Sequence, residues 1–177
     1  MYKVSRPLGL IISDLLKEPF FIIGLVLKIL LIIVFIPTIH SDWFVPFMVN
    51  WIENPFSLPW SIHLLSDGDP LAFPYGPIMF ISHLPTTFIG WLMDSIFELQ
   101  YFTNVGFRVS LFCADLLLLL LLVQTFEEHF KRILTYYWLS PLILFITYWH
   151  GQTDLVPVAL FVYALALLKN GNFKVSG

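Results

Sequence analysis

At 177 residues, 58% hydrophobic, with 18 Phe, 6 Trp and a mean hydropathy of +0.84, the chain is more apolar than a water-soluble domain. A formal charge of −3 and the absence of a polybasic tract argue against nucleic acid as a partner, because phosphate binding needs clustered Lys and Arg. The one cysteine, Cys113, lies in an apolar run and cannot close an internal disulfide. The expected fold is all-α: a single transmembrane domain over residues 1–177, with the lipid bilayer as its solvent.

The opening MYKVSRPLGL lacks the apolar core and small-residue cleavage point of a removable signal, so insertion is expected through the first long apolar run. That run, Phe20–Ile39, meets the requirement of about 20 apolar residues despite Lys28. Lys28 either snorkels toward the cytoplasmic surface or finds a buried acid, and Asp115 is the partner the sequence offers. His40-Ser41-Asp42 follows at the membrane boundary, where an acid serves as a polar stop or faces a lipid headgroup. Next, Trp43–Trp51 (WFVPFMVNW) carries aromatics suited to lying along the interface. Asp67-Gly68-Asp69-Pro70 reads as a tight turn in preference to a metal-sharing Asp-x-Asp. His63 and His83 show no sequence-visible partners.

The apolar stretch Tyr75–Phe97 is interrupted by Pro77, His83, Pro85 and Asp94, and Pro85 is expected to break a helix there. Asn104–Phe126 is a clear span carrying Arg108 and Asp115. Ile133–Trp149 and Leu155–Leu168 are shorter candidates. Seven cationic residues lie outside these runs: Lys3, Arg6, Lys17, Lys131, Arg132, Lys169 and Lys174. If Tyr75–Phe97 enters and leaves on one side, all seven share the side of the N-terminus, as the positive-inside rule requires. The expectation is therefore four spanning helices with a cytoplasmic N-terminus. A re-entrant or interfacial segment then lies within a 40–103 extracytoplasmic loop of membrane-hugging helices.

This topology puts YWHGQTDLVP, at 148–157, on the same outer face as the loop. A turn there needs only Gly151 and one polar neighbour. Asp154 can cap the following helix, which leaves His150 and Gln152 to be explained by a polar ligand. Arg108, near the outer end of its span, suits either a phosphate or a structural anchor.

Four segments in order carry a resemblance. They are His40-Ser41-Asp42, Phe73-Pro74-Tyr75-Gly76-Pro77, Arg108–Leu117 (RVSLFCADLL), and Ser140-Pro141-Leu142 followed by His150-Gly151-Gln152-Thr153-Asp154. Together they resemble the amino-terminal half of the polytopic glycosyltransferases that use polyprenyl-phosphate sugars, the GT-C superfamily. The closest likeness is to the dolichyl-phosphate-glucose-dependent glucosyltransferases of the N-glycan pathway. The resemblance spans about Phe20 to Leu168. Asp154 stands where that family has Asn, and Gly76 where it has Pro.

The resemblance implies an integral membrane enzyme of the bacterial inner membrane or endoplasmic reticulum. Its donor would be a polyprenyl-phosphate-linked sugar, bound on the extracytoplasmic face. Asp42 would be the catalytic base, with His150, Gln152, Asp154 and Arg108 binding substrate. The cofactor is left unknown; a divalent metal is compatible with this chemistry, but no residue pattern supports one. Such enzymes carry many more helices, so a second chain supplying further helices is a candidate partner. A non-catalytic membrane subunit or scaffold derived from such an enzyme is the alternative. A channel or transporter is the weaker third, since no matched pair of broken helices indicates an inverted repeat.

Overall fold

The computed structural model describes residues 7–169 and is all-helical over them, with no strand. Lys3, Arg6 and Lys174, used above to orient the chain, lie outside the described residues. Helix α1 (Leu8–Lys17) is amphipathic: Ile11 and Leu15 are buried while Leu8, Leu10, Ile12 and Leu16 face outward. Glu18 is extended, and α2 (Pro19–Val34) starts on a proline, whose missing N–H costs nothing in a first turn.

The long first run does not stay helical to Ile39: α2 stops after 16 residues and Phe35 turns extended. Pro37 explains this, since it has no N–H to donate to the carbonyl of Ile33. The Tyr101 hydroxyl donates to that carbonyl instead, at 2.5 Å.

A π-helical turn, His40–Phe44, leads into α3 (Val45–Glu53) and then α4 (Pro59–Leu65). The aromatics expected to lie along the interface turn inward in part: Phe44 and Phe47 are 1% exposed. They pack with Phe73, Phe80 and Phe107 in one core cluster. Trp43 alone among the first few aromatics points outward.

Helix α5 (Pro77–Phe97) is continuous through Pro85, against the expected break. Pro85 sits on the exposed side, opposite the buried row of Met79, Phe80, His83, Thr87, Gly90 and Asp94. That row packs antiparallel on α6 (Phe102–Thr125). The two backbones approach closely at Gly90 and Gly106: a Cβ would lie 2.1 Å from the Phe102 carbonyl oxygen at the first and 2.2 Å from that of Thr86 at the second. Asp94 closes the hairpin by accepting from the backbone N–H groups of Tyr101, Phe102 and Thr103 at 3.0, 2.8 and 2.7 Å. It also accepts from the Thr103 hydroxyl, so a side chain from α5 caps the start of α6. The packing of α5 reaches along α6 only to Leu111 and Ala114, leaving the second half of α6 to other partners.

Those partners are α1, α2, α7 and α9. Leu119 and Val123 of α6 cluster with Ile11, Leu15, Phe21, Leu134 and Trp138. Helix α7 (Phe130–Ile133) continues as a π-helix over Leu134–Trp138. Ser140 is extended before Pro141, where α8 (Pro141–Ile143) begins, itself continuing as a π-helix over Leu144–His150. The expected single helix Ile133–Trp149 is thus divided in two by a residue preceding proline, which disfavours the helical region. The divided segment still runs the length of α2: the Trp138 indole donates to the Phe21 carbonyl at 3.0 Å, and Gly151 meets His40 at the other end. Last, α9 (Leu155–Lys169) packs on α6 through Leu155 and Ala159.

By length and composition one helix among the described residues, Phe102–Thr125, is long and apolar enough to cross a membrane; Pro19–Val34 and Leu155–Leu168 are apolar but shorter.

Candidate functional site

The two polar segments singled out in the sequence meet. His40 is fully buried, and its Nε2–H donates to the Gly151 carbonyl at 2.7 Å. Gly151 has φ +87°, in the left-handed region that favours glycine. A Cβ there would also fall 2.8 Å from His40 Nε2 and 2.9 Å from Pro37 Cβ. So Gly151 serves both the turn and the close approach of the loop that follows α2. The α8 end is tied back by the Gln152 N–H donating to the Ile146 carbonyl at 3.0 Å.

Both segments arrive on π-helical turns. His40, Ser41 and Asp42 sit in the first, and the other ends on His150. A π-turn inserts one residue into the helical ladder and re-aims the side chains around it, a local expansion found often at functional sites.

The individual residues divide by exposure. Asp42 is exposed, and its Oδ1 accepts from the Ser41 hydroxyl at 2.7 Å. His150 and Asp154 are exposed, and Gln152 is half-buried. Gln152 Nε2 lies 3.4 Å from His150 Nδ1, within hydrogen-bond reach. Asp154 stands immediately before α9, the N-cap position, with its carbonyl accepting from Val158 at 3.3 Å.

Arg108 differs from the expectation of an outward phosphate ligand. It is 1% exposed, and Nη1 donates to the carbonyls of Leu31 (2.6 Å), Ile32 (2.7 Å) and Phe35. Nη2 donates to the Tyr148 carbonyl at 2.7 Å. A guanidinium on the open carbonyls of a helix end satisfies them and opposes the negative end of the dipole. Arg108 therefore clamps α2 to α8 beneath the site, and its charge is spent on backbone.

One turn-pair further down α6, Asp115 pairs with Lys28: Nζ lies 2.5 Å from Oδ2, both side chains at 0% exposure. Lys28 does not snorkel. Asp115 accepts also from Tyr148 at 2.5 Å and Tyr137 at 2.7 Å, and the ammonium sits 3.6 Å from the Trp138 ring centroid. Tyr148 joins the two polar layers, its carbonyl on Arg108 and its hydroxyl on Asp115.

Beneath the loop, His83 shares a hydrogen bond with the Ser110 hydroxyl and stacks on Phe107 at 4.3 Å; His40 meets the same ring edge-on at 5.0 Å. Burial holds the His40 imidazole down to about 3, with Arg108 and His83 pushing the same way and the Gly151 carbonyl opposing. Burial likewise takes His83 to about 4. Both are neutral supports. For Asp94, desolvation alone would raise its value, but the donors from Thr103, Phe102 and Tyr101 outweigh it and hold the carboxyl below the ordinary range.

The sequence carried no sign of the π-turns, and it presented Asp94 only as an interruption in an apolar run. No group of three or more His, Cys, Asp or Glu able to hold a metal occurs among the described residues. No family model, no curated protein and no solved structure matches the chain.

Proposed function

We propose that this chain is an integral membrane glycosyltransferase, or the amino-terminal half of one, that uses a polyprenyl-phosphate sugar on the extracytoplasmic face. The observation that carries the proposal is the His40–Gly151 hydrogen bond. It ties the acid-bearing segment after α2 to the histidine–glutamine corner after α8. Four crossings fit best: α2, α6, the divided α7–α8 segment and α9, with α5 re-entrant because it packs only along the first half of α6. Outward-facing Ile23, Val26, Leu30 and Val34 on α2, and Phe161 on α9, make a surface that lipid would cover.

In the reaction, an acceptor hydroxyl gives its proton to the Asp42 carboxylate as its oxygen bonds to the sugar's anomeric carbon. The bond from that carbon to the phosphate breaks, and the polyprenyl phosphate leaves with the electron pair. Ser41 orients the base through Oδ1. His150, with the Gln152 amide within reach of its Nδ1, donates to the phosphate or to an acceptor oxygen. Asp42→Asn should abolish transfer from a polyprenyl-phosphate sugar in proteoliposomes with the fold intact. Retained transfer would reject Asp42 as the base.

A second reading, a non-catalytic subunit derived from such an enzyme, is favoured by one fact. Arg108 is committed to carbonyls, and residues 40–103 contain no Lys or Arg, so no cation of the outer segments is placed to hold the leaving phosphate. For the catalytic reading, that cation comes from additional helices, in cis or from a second chain. Binding of a polyprenyl phosphate that depends on His150 favours the enzyme, and indifference to His150 favours the scaffold.

A further inference from the structure

The phenylalanines that the sequence suits to an interface turn into the core, and the outward apolar surface of the outer segment comes from residues further on. In the loop between α3 and α4, Phe56 is fully exposed and Leu58 is 72% exposed. Leu65, at the end of α4, is 81% exposed, and Leu71 in the turn beyond is 64% exposed. Leu58 and Leu65 stand two helical turns apart, so they share the face of α4 opposite buried His63. The loop that carries Phe56 is closed on itself. The Ser57 N–H donates to the Asn54 carbonyl at 3.1 Å, the Trp51 indole to the Ser57 carbonyl at 2.9 Å, and the Asn54 side-chain amide to the Asn50 carbonyl at 3.1 Å. Pro55 and Pro59 have no N–H to satisfy. Apolar side chains outside and backbone groups paired inside suit this tip to lipid, where an open N–H or C=O is costly.

We infer that Phe56, Leu58, Leu65 and Leu71 form a wedge that inserts into the extracytoplasmic leaflet, with zwitterionic lipid as its partner. Height along α6 is the first support. In the four-crossing arrangement the outer boundary of α2 lies where its Leu31 and Ile32 carbonyls meet Arg108. The segment around α3 stands at that level: Phe44 meets Phe107 at 5.7 Å between ring centroids, and Phe47 and Phe80 share the cluster that reaches Leu111. Leu111 is about 4.5 Å further into the membrane at 1.5 Å per residue. Ile78 and Ile81, exposed on the first turns of α5, add apolar surface at the same depth. Charge sets both the depth and the lipid. Glu53, Asp67 and Asp69 are exposed beside the wedge, and their carboxylates hold it at the level of the headgroups. With no Lys or Arg between residues 40 and 103, nothing there attracts an anionic headgroup, and the acids repel one. The inference rests on the membrane part of the proposed function and not on glycosyl transfer.

Spin labelling of the protein in nanodiscs of zwitterionic lipid tests this. In a Cys113→Ala background, nitroxides are attached singly through Phe56→Cys, Leu58→Cys, Leu65→Cys, Val26→Cys and Glu98→Cys. Labels at 56, 58 and 65 should collide more often with oxygen, which concentrates in lipid, than with a water-soluble nickel chelate. The label at 98, at the outer end of α5, should show the reverse order. Replacing part of the lipid by an anionic one should leave the label at 56 no deeper. A wedge label reached by the chelate as freely as the label at 98 overturns the wedge. So does one shielded from both reagents, as a second protein surface would shield it, and so does a label at 56 that sinks further in anionic lipid. Val26, on the outward face of α2, separates this failure from that of the membrane reading. Lipid at 26 with water at 56 defeats the wedge alone; water at both defeats the membrane reading with it.

Discussion

Lys28 and Asp115 are each costly in an apolar interior, and each is stable there because the other is present. Removing one partner leaves a buried charge, so Lys28→Met or Asp115→Leu alone should destabilise the protein by about 3–5 kcal/mol, while the double variant should recover most of the loss. Denaturant unfolding in detergent measures both, and a double variant no better than the singles would mean the pair is not coupled. The two neutral histidines make a different prediction. Their folded values, about 3 for His40 and about 4 for His83, lie below the ordinary 6.5. Their contribution is therefore fully present above 6.5 and is lost as pH falls toward those values, by roughly 1.4 kcal/mol per pH unit for each. Melting temperature should fall below pH 6.5, and His40→Asn, which can still donate to the Gly151 carbonyl, should remove about half of the dependence. At this scale the sequence was informative where cost was high: a lysine and an aspartate inside apolar runs have few available partners. It was silent on Tyr137 and Tyr148, because a tyrosine in a greasy segment looks the same whether its hydroxyl faces lipid or an acid.

The helices depart from their sequence patterns at prolines and at the π-turns. Pro37 shortens α2 and Pro141 divides the third apolar run, as the loss of an N–H and the crowding before proline dictate. Pro85 breaks nothing, because it lies on the face of α5 turned away from α6, where buried contacts on the opposite side hold the helix together. Pro85→Ala should leave the fold unchanged and stabilise it, seen as a higher unfolding midpoint; loss of stability would mean that the ring itself is packed against something needed. No periodicity count could have located the π-turns at His40–Phe44 and Leu144–His150, because their apolar spacing reads as ordinary helix. In place of one tight turn over Asp67–Pro70 the structure has two bends: Asp67, at φ +57°, closes the end of α4 with the Gly68 N–H donating to the His63 carbonyl at 2.9 Å, and Asp69 opens a second turn by accepting from the Ala72 N–H at 2.9 Å.

On the scale of the molecule, the juxtaposition that matters joins residues 111 apart in sequence, His40 and Gly151. The positive-inside argument expects the loop without Lys or Arg and the HGQTD corner on one side, and the structure brings His40 of the one against Gly151 of the other. What stayed hidden was Arg108's inward direction, since spacing along α6 fixes its height but not which neighbour's carbonyls it finds. With Cys113 replaced by Ala, cysteines introduced at positions 42 and 152 should both label with an impermeant maleimide from the extracytoplasmic side, and one at position 131 should not. Labelling of 42 and 152 from opposite sides would dissolve the site.

The clamp and the ion pair also constrain how the chain is made. In the four-crossing arrangement α2 leaves the ribosome with Lys28 uncompensated and its last carbonyls open; Asp115 follows 87 residues later, and Arg108 trails Ile32 by 76. Until then α2 would be a poor lipid passenger, so in that arrangement it should linger at the insertion machinery and enter the bilayer together with α6. Biogenesis of this protein would thus proceed by pairwise release, timed by the synthesis of one arginine and one aspartate.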